Sequence, residues 1–249
     1  MQTFLVTATV CSIFFADVAQ SQDVGALIRK ADQFDAQERT DDAIETLKQA
    51  EKISPNNPDL LIKLSQDYSD KIDASQDHSQ KLAAAKLCMA YAKKAVHVAP
   101  GNADAHVCLS IAYGKMTDFV DNKTKMGYSK VVKSEAEKAV ELNPKNDLAL
   151  LILARWNFDM ATLNPILKVI AESLYGQLPP ASKEKAVEYF QKATEAAPGR
   201  IIDHAQFAEA LESMGKTNEA RAEWLKVRQL KPTDAEDRKY VAEAEQKLK

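Results

Sequence analysis

The stretch AVEYFQKATEAAP, at residues 186–198, carries the spacing that decides the fold. Ala186, Phe190 and Ala193 recur there at offsets of four and then three, and Pro198 follows five residues later. These offsets place side chains on one face of an α-helix. A proline cannot continue that helix and disfavours helical geometry in the residue before it. The stretch is therefore predicted to be a helix that buries one face and stops before Pro198.

The same spacing occurs four more times along the chain. The other instances are Ala43, Leu47, Ala50, Pro55; Cys88, Ala92, Ala95, Pro100; Val132, Ala136, Ala139, Pro144; and Ala220, Trp224, Val227, Pro232. A further helical pattern precedes each of the five, and its middle position is always small: Ala31, Ser65, Ser110, Ala154 and Ala208. A small residue there lets two antiparallel helices approach closely. Paired helices in a unit of 34 residues are the tetratricopeptide (TPR) pattern. We predict an all-α, TPR-type solenoid of about five helical hairpins.

The distances between the terminal prolines show where the chain departs from a plain array. Relative to 34 residues, the second, third and fourth units carry insertions between their two helices. The insertion of the fourth unit is predicted to be a helix that starts at Asn164-Pro165 and ends at Gly176. Ile166, Leu167, Ile170 and Leu174 are expected on one face of it, buried against another part of the protein. Residues 234–249 are predicted to form a charged helix that caps the array.

The overall composition is that of a globular helical protein without a basic excess. Glycine is scarce, with 7 residues, and the formal net charge is −3. Nucleic-acid binders usually carry a strong positive charge to neutralise phosphates, so no nucleic-acid partner is predicted.

The N-terminal segment differs from the rest of the chain. Residues 1–16 have no charged side chain, and residues 4–16 are largely apolar. We expect residues 1–21 to be a secretory signal peptide, with 22–249 as the TPR-like domain. The protein would then be exported, periplasmic or secreted. If the segment is not cleaved, the protein would be cytoplasmic, with an N-terminal helix packed on the first repeat as the alternative structure.

The residues that could carry catalysis or bind a metal are scattered. The four histidines have no second ligand at metal-like spacing, and no phosphate-binding glycine loop or nucleophile motif is present. Cys88 and Cys108 fall in helical patterns where cysteine acts as a small apolar residue, so buried thiols are expected, with a disulfide between them as the alternative in an oxidising compartment. We predict a protein that is not an enzyme and that uses neither a metal nor a cofactor.

The inserted segment carries a more specific signal than the repeats. It contains Arg155-Trp156 and, after the predicted insertion helix, Tyr175-Gly176 and Pro179-Pro180-Ala181-Ser182 before the fourth repeat helix. Together with Tyr91-Ala92-Lys93-Lys94-Ala95 and Asp118-Phe119, this resembles the regulator of microtubule dynamics family, over about residues 24–249. The resemblance implies a helical repeat protein, a link to microtubules for some members, and a repeat domain that binds phospholipid in one member.

The concave side of a TPR array is lined by the first helix of each hairpin, one residue after the inward-packing positions. The predicted lining residues are Ile62, Val107, Ile111, Leu151, Arg155 and Phe158. This surface is expected to be largely aliphatic, with Arg155 as its single central cation.

Three functions remain open from the sequence. In the first, the insertion helix plugs the groove and the protein is a scaffold or adaptor that binds unknown protein partners. In the second, the insertions roof a cavity for an acyl chain or an apolar peptide, and Arg155 faces an anionic head group. In the third, which the family resemblance implies and which requires a cytosolic chain, the partner is the microtubule.

Overall fold

The computed structural model describes residues 24–249, apart from the side chains of Leu167 and Tyr175. The described residues form helices and connecting turns, with no strand among them. The proposed signal peptide at 1–21 lies outside them. Contacts divide the chain into two compact units, with the boundary between Val98 and Ala99.

The first unit contains two helical hairpins. Its helices are α1 (24–35), α2 (Thr40–Ile53), α3 (Pro58–Ala74) and α4 (His78–Val98). Helix α3 packs against both α2 and α4, and Lys63 of α3 forms ion pairs with Asp32 and Asp35 of α1, at 2.9 and 3.0 Å. The ring of Tyr68 stacks on that of Tyr91, with centroids 5.7 Å apart.

The second unit contains three hairpins and a C-terminal helix. Its helices are α5 (Ala103–Met116), a 3-10 turn (Thr117–Phe119), α6 (Asn122–Leu142), α7 (Asp147–Ala161), α8 (Pro165–Tyr175), α9 (Lys183–Ala196), α10 (Ile201–Ser213), α11 (Thr217–Gln229) and α12 (Ala235–Lys247). The hairpins are α5 with α6, α7 with α9, and α10 with α11. Helix α12 packs on α10 and α11 and covers the end of the array, as predicted.

The small residues at the middle of each first helix are buried, which confirms the hairpin prediction. The exposed fraction is at most 1% for Ala31, Ser65, Ser110, Ala154 and Ala208. Of the anchors on the second helices, all except Val132 are buried as well. Neighbouring hairpins also share this core, since the rings of Phe190 in α9 and Phe207 in α10 stack with centroids 5.3 Å apart.

The insertions of the second and third units are mostly extra helical turns. Helices α4 and α6 each have 21 residues, whereas α2, α9 and α11 have 13 or 14. The start of α6 is fixed by Asp121, whose carboxylate accepts hydrogen bonds from the backbone N–H groups of Lys123 and Thr124. The chain thus accommodates most of the added residues by lengthening the second helix of the hairpin.

Candidate ligand-binding site

A largely apolar cavity of about 480 Å³ lies beside α8, where the chain departs most from a plain repeat. We call it the insertion cavity. Its apolar walls are Met126 and Val132 of α6, Trp156 and Met160 of α7, Leu163, and Ile170, Ala171 and Leu174 of α8. Its polar lining residues are Thr117, Asn122, Lys125, Ser129 and Asp159. Both insertions therefore supply residues to the walls of one space.

Trp156 is held in the wall by a hydrogen bond across the hairpin. Its indole N–H donates to the backbone carbonyl and the hydroxyl of Ser129, both at 3.0 Å. The ammonium group of Lys133 lies 5.5 Å from the indole centroid. A buried tryptophan normally has a partner for its N–H, and here that partner orients the ring towards the cavity.

Helix α8 begins and ends where the sequence indicates. The side chain of Asn164 accepts a hydrogen bond from the N–H of Ile166, Pro165 is the first helical residue, and Gly176 follows with a φ of 82°. This positive φ is left-handed backbone, which glycine adopts without steric cost. The predicted insertion helix is therefore confirmed.

The prediction that the apolar stripe of α8 is buried is wrong. Ile170 and Leu174 line the insertion cavity but remain 48% and 66% exposed, and Ile166 is 70% exposed and lies outside the lining. The side chain of Leu167 is not among those described. The stripe stays exposed because α8 forms one wall of an open cavity instead of lying flat on another helix.

A second concave surface, the repeat groove, runs along α5, α7 and α10 within the second unit. It is lined by Ser110, Ile111, Gly114, Val132, Leu151, Ile152, Arg155, Trp156, Phe158, Asp159, Gln206, Glu209, Ala210 and Ser213, as two adjoining concavities of about 360 and 280 Å³. Four of the six predicted groove residues are therefore in its lining: Ile111, Leu151, Arg155 and Phe158. Val107 packs beneath the surface against Ala139 and Ala149, and Ile62 is buried in the first unit.

Two carboxylates lie near Arg155 in the repeat groove. Glu209 lies 4.0 Å from the guanidinium of Arg155, and Asp159 follows Arg155 by one helical turn. Partial burial raises the pKa of Asp159 and of Glu209, while Arg155 opposes both shifts. Among the described lining residues Arg155 is the only cation. The larger concavity is lined mainly by apolar residues, including Ile111, Leu151 and Ile152, whereas α10 adds polar residues to the smaller one.

No described residue of α8 lines the repeat groove, so the described part of this helix does not plug it. The cavity and the groove nevertheless adjoin, since Val132, Trp156 and Asp159 contribute to both. The apolar lining residues Met126, Met160 and Leu163 were not predicted from the sequence. Trp156 and Met160 lie on one face of α7 at an offset of four, and this spacing could have identified Met160.

Two of the four histidines occupy equivalent places in different hairpins. His106 Nδ1 lies 2.6 Å from a carboxylate oxygen of Glu135, and His204 Nδ1 lies 2.6 Å from one of Glu223. In each case Nε2 faces a proline carbonyl in the preceding turn, at 2.9 Å in the first and 3.1 Å in the second. These contacts join the two helices of each hairpin, in keeping with a packing function for both rings.

Residues 24–249 hold no arrangement of side chains suited to a metal ion. No group of three or more His, Cys, Asp or Glu side chains in this part of the chain has the required geometry. Over the same residues, no helix combines the length and the apolar character that a membrane crossing requires. Cys88 and Cys108 are both buried.

Comparison with known proteins places the chain in a family. It matches the family described as regulator of microtubule dynamics protein 1-3 over residues 27–249. The chain belongs to this family. The match confirms the resemblance that the inserted segment indicated.

Individual relatives agree with this assignment. Regulator of microtubule dynamics protein 3 of Xenopus laevis is 24% identical over 237 residues, which cover 91% of this chain and 50% of that protein. Regulator of microtubule dynamics protein 1 of Rattus norvegicus is 28% identical over 195 residues, which cover 76% of this chain and 60% of that protein. The chain spans about half the length of the curated relatives it matches.

Solved structures with a similar fold include a TPR protein. This thermophilic TPR protein of Thermus thermophilus superposes with a TM-score of 0.65 at 21% identity, covering 90% of this chain and 99% of that one. PilF of Pseudomonas aeruginosa superposes with a TM-score of 0.57 at 16% identity, covering 92% of each chain. At these identities the likeness establishes the fold alone, which is an all-α helical repeat of the TPR type.

Proposed function

We propose that the protein is a non-enzymatic binding protein whose insertion cavity holds an apolar chain, such as the acyl chain of a lipid. The observation that carries this proposal is the chemistry of the cavity walls. Met126, Trp156, Met160, Ile170 and Leu174 surround a space of about 480 Å³, within the range of roughly 300–1,000 Å³ that small-molecule sites occupy. Filling it with hydrocarbon would remove these side chains from water.

The polar lining residues suggest how such a ligand would be oriented. Lys125 and Asn122 lie in the first turn of α6, on the same lining as Ile170 and Leu174. An ammonium group beside an apolar space suits a ligand with an anionic head and a hydrocarbon tail. Lys125 is a better candidate for the head group than Arg155, since Arg155 lies 4.0 Å from Glu209 and lines only the repeat groove.

Native mass spectrometry of the purified protein tests the proposal. We expect the protein to carry a co-purifying lipid, or to take up a hexadecyl-chain fatty acid on incubation. Ala171→Trp should abolish uptake because it places an indole in the cavity. Ala222→Trp, on an exposed position of α11, is the matched control and should bind as the natural chain does. Absence of uptake by the natural chain, or equal uptake by both variants, would reject the proposal.

The repeat groove favours a second candidate function, the binding of a protein partner. Arg155, Asp159, Gln206 and Glu209 place donors and acceptors beside the aliphatic residue Ile152, an arrangement that suits a peptide with mixed side chains better than a hydrocarbon. The adaptor function therefore belongs to this surface. Arg155→Ala should weaken the binding of a protein partner that the natural chain captures, and it should leave fatty-acid uptake unchanged. Unchanged partner binding with reduced fatty-acid uptake would instead assign lipid binding to the repeat groove.

A microtubule function rests on the names of the relatives. Its test is co-sedimentation of the purified chain with polymerised tubulin, combined with sequencing of the mature N-terminus. Pelleting with microtubules and an intact N-terminus would support it. A mature protein that starts at Gln22 would exclude it, because export would separate the protein from cytosolic filaments; cleavage there would also support the export that we propose.

A further inference from the structure

Helix α8 exposes large apolar side chains that no other part of the described chain covers. Its large hydrophobic residues Ile166, Val169, Ile170 and Leu174 are 70%, 66%, 48% and 66% exposed. Among the described residues, the other large hydrophobic side chain with comparable exposure is Leu87 in α4, at 39%. Exposed apolar residues concentrated on one short helix mark a surface that another body covers.

Helix α8 has three faces, each with different surroundings. Ile170, Ala171 and Leu174 line the insertion cavity, and Lys168 and Glu172 line a polar cleft with residues 177–184. Ile166, Val169 and Ser173 follow one another at offsets of three and four, so they share a third face, which is exposed. This outer face borders the mouth of the cavity, because Ile170 adjoins Ile166 and Val169 along the helix surface.

Lysines flank this face. Lys125, in the first turn of α6, lines the cavity together with Ile170 and Leu174, and Lys168 is exposed on α8 itself. Carboxylates lie there too, with Asp159 on the cavity lining and Glu172 on α8. An apolar helix face flanked by lysines is the arrangement with which amphipathic helices bind an anionic membrane surface.

A second copy of the chain fits this surface less well. A stable protein–protein interface uses about 20–30 residues a side, whereas α8 has eleven residues and its described side chains include four large, exposed apolar ones. A bilayer accepts a small apolar patch, because insertion to the depth of the head groups needs no complementary shape.

We propose that the outer face of α8, formed by Ile166 and Val169 together with the rim residues Ile170 and Leu174, docks on the surface of an anionic lipid bilayer. The docking places the mouth of the insertion cavity at the membrane. It does not depend on what the cavity holds, since Ile166 and Val169 lie outside the cavity lining.

The test uses a reporter on the docking face of the full chain. Ser173→Cys, in a chain that also carries Cys11→Ser, is labelled with an environment-sensitive NBD fluorophore; Cys88 and Cys108 are buried. Vesicles of phosphatidylcholine with about 30% phosphatidylserine should increase and blue-shift the emission, and pure phosphatidylcholine vesicles should do so far more weakly. The same fluorophore at Ala222→Cys on α11 is the control and should not respond.

Variants then separate the possible outcomes. Ile166→Ser with Val169→Ser should raise the lipid concentration needed for half-maximal response at least tenfold, whereas Leu87→Ser should leave it unchanged. Ala171→Trp should dock normally while losing fatty-acid uptake, so failure of the cavity proposal and failure of this one give different results. An unchanged response in the double variant, no response in the natural sequence, or a dimer in sedimentation velocity that the double variant abolishes would each overturn the proposal.

Discussion

Replacing Asp203 by asparagine should stabilise the protein at neutral and alkaline pH. Asp203 lies in the first turn of α10 with an exposed fraction of 0%, and both of its carboxyl oxygens are without a hydrogen-bond partner in the structure. Burial, reinforced by the nearby carboxylate of Asp147, raises the pKa of Asp203 from 3.8 to about 7, although Arg200 and His204 oppose the shift. A buried carboxylate without hydrogen bonds is costly to ionise.

The magnitude follows from the difference between the two pKa values. Because the folded chain holds the Asp203 proton more tightly than the unfolded chain, its contribution to stability is fully present below pH 3.8 and is lost as the pH rises through 7. At about 1.36 kcal/mol for each unit of pKa, the loss is about 4 kcal/mol in all, of which about 3 kcal/mol falls between pH 5 and pH 8. Asparagine keeps the shape and does not ionise. It forfeits the attraction of a carboxylate to the helix N-terminus, about 0.3–1 kcal/mol, and the attraction to Arg200 and His204.

Urea denaturation followed by circular dichroism at pH 5, 6, 7 and 8 measures this effect. The free energy of unfolding of Asp203→Asn minus that of the natural chain should grow by about 3 kcal/mol across the series. Other groups that titrate in this range, such as Asp67, cancel in the difference. Parallel pH profiles for the two proteins, or a variant that is equally destabilised at every pH, would refute the reasoning.

Four further substitutions test the packing of the second unit, each by the same denaturation assay at pH 7. Phe190→Ala should cost about 3–5 kcal/mol, because it leaves a cavity in the core beside a stacked ring; a loss below 1 kcal/mol would contradict the core assignment. His204→Gln should cost more than His106→Gln, since the glutamate partner of His204 is 11% exposed and that of His106 is 23% exposed; equal costs would count against this explanation. Trp156→Phe should cost about 0.5–1.5 kcal/mol through loss of its bond to Ser129, and no measurable loss would mean that this bond does not hold the cavity wall.

The repeat architecture could be predicted because its determinants are local. The small residue at the middle of each first helix and the proline after each second helix recur at matching positions in every repeat. Ala31 and Ala208, for example, are buried as that pattern requires. The ends of α8 were predictable for the same reason, since Asn164 and Gly176 act within one turn of the helix they delimit.

The site was less predictable because its walls come from distant parts of the sequence. Met126, Trp156 and Ile170 meet only through the packing of α6, α7 and α8. The apolar stripe of α8 correctly indicated an amphipathic helix, but periodicity does not specify what covers such a face. In the repeat groove, Glu209 approaches Arg155 from another hairpin, so the charge of that surface depends on tertiary structure.

Photolabelling tests the central claim, that the insertion cavity holds an apolar chain, most directly. A fatty acid with a diazirine near the end of its chain is irradiated with the purified protein, and the labelled residues are mapped by peptide mass spectrometry. We expect labels on cavity residues such as Met126, Met160 and Ile170, which excess unlabelled fatty acid removes. Labels confined to the repeat groove around Ile111 and Ile152, or spread over the surface and insensitive to competition, would contradict the claim.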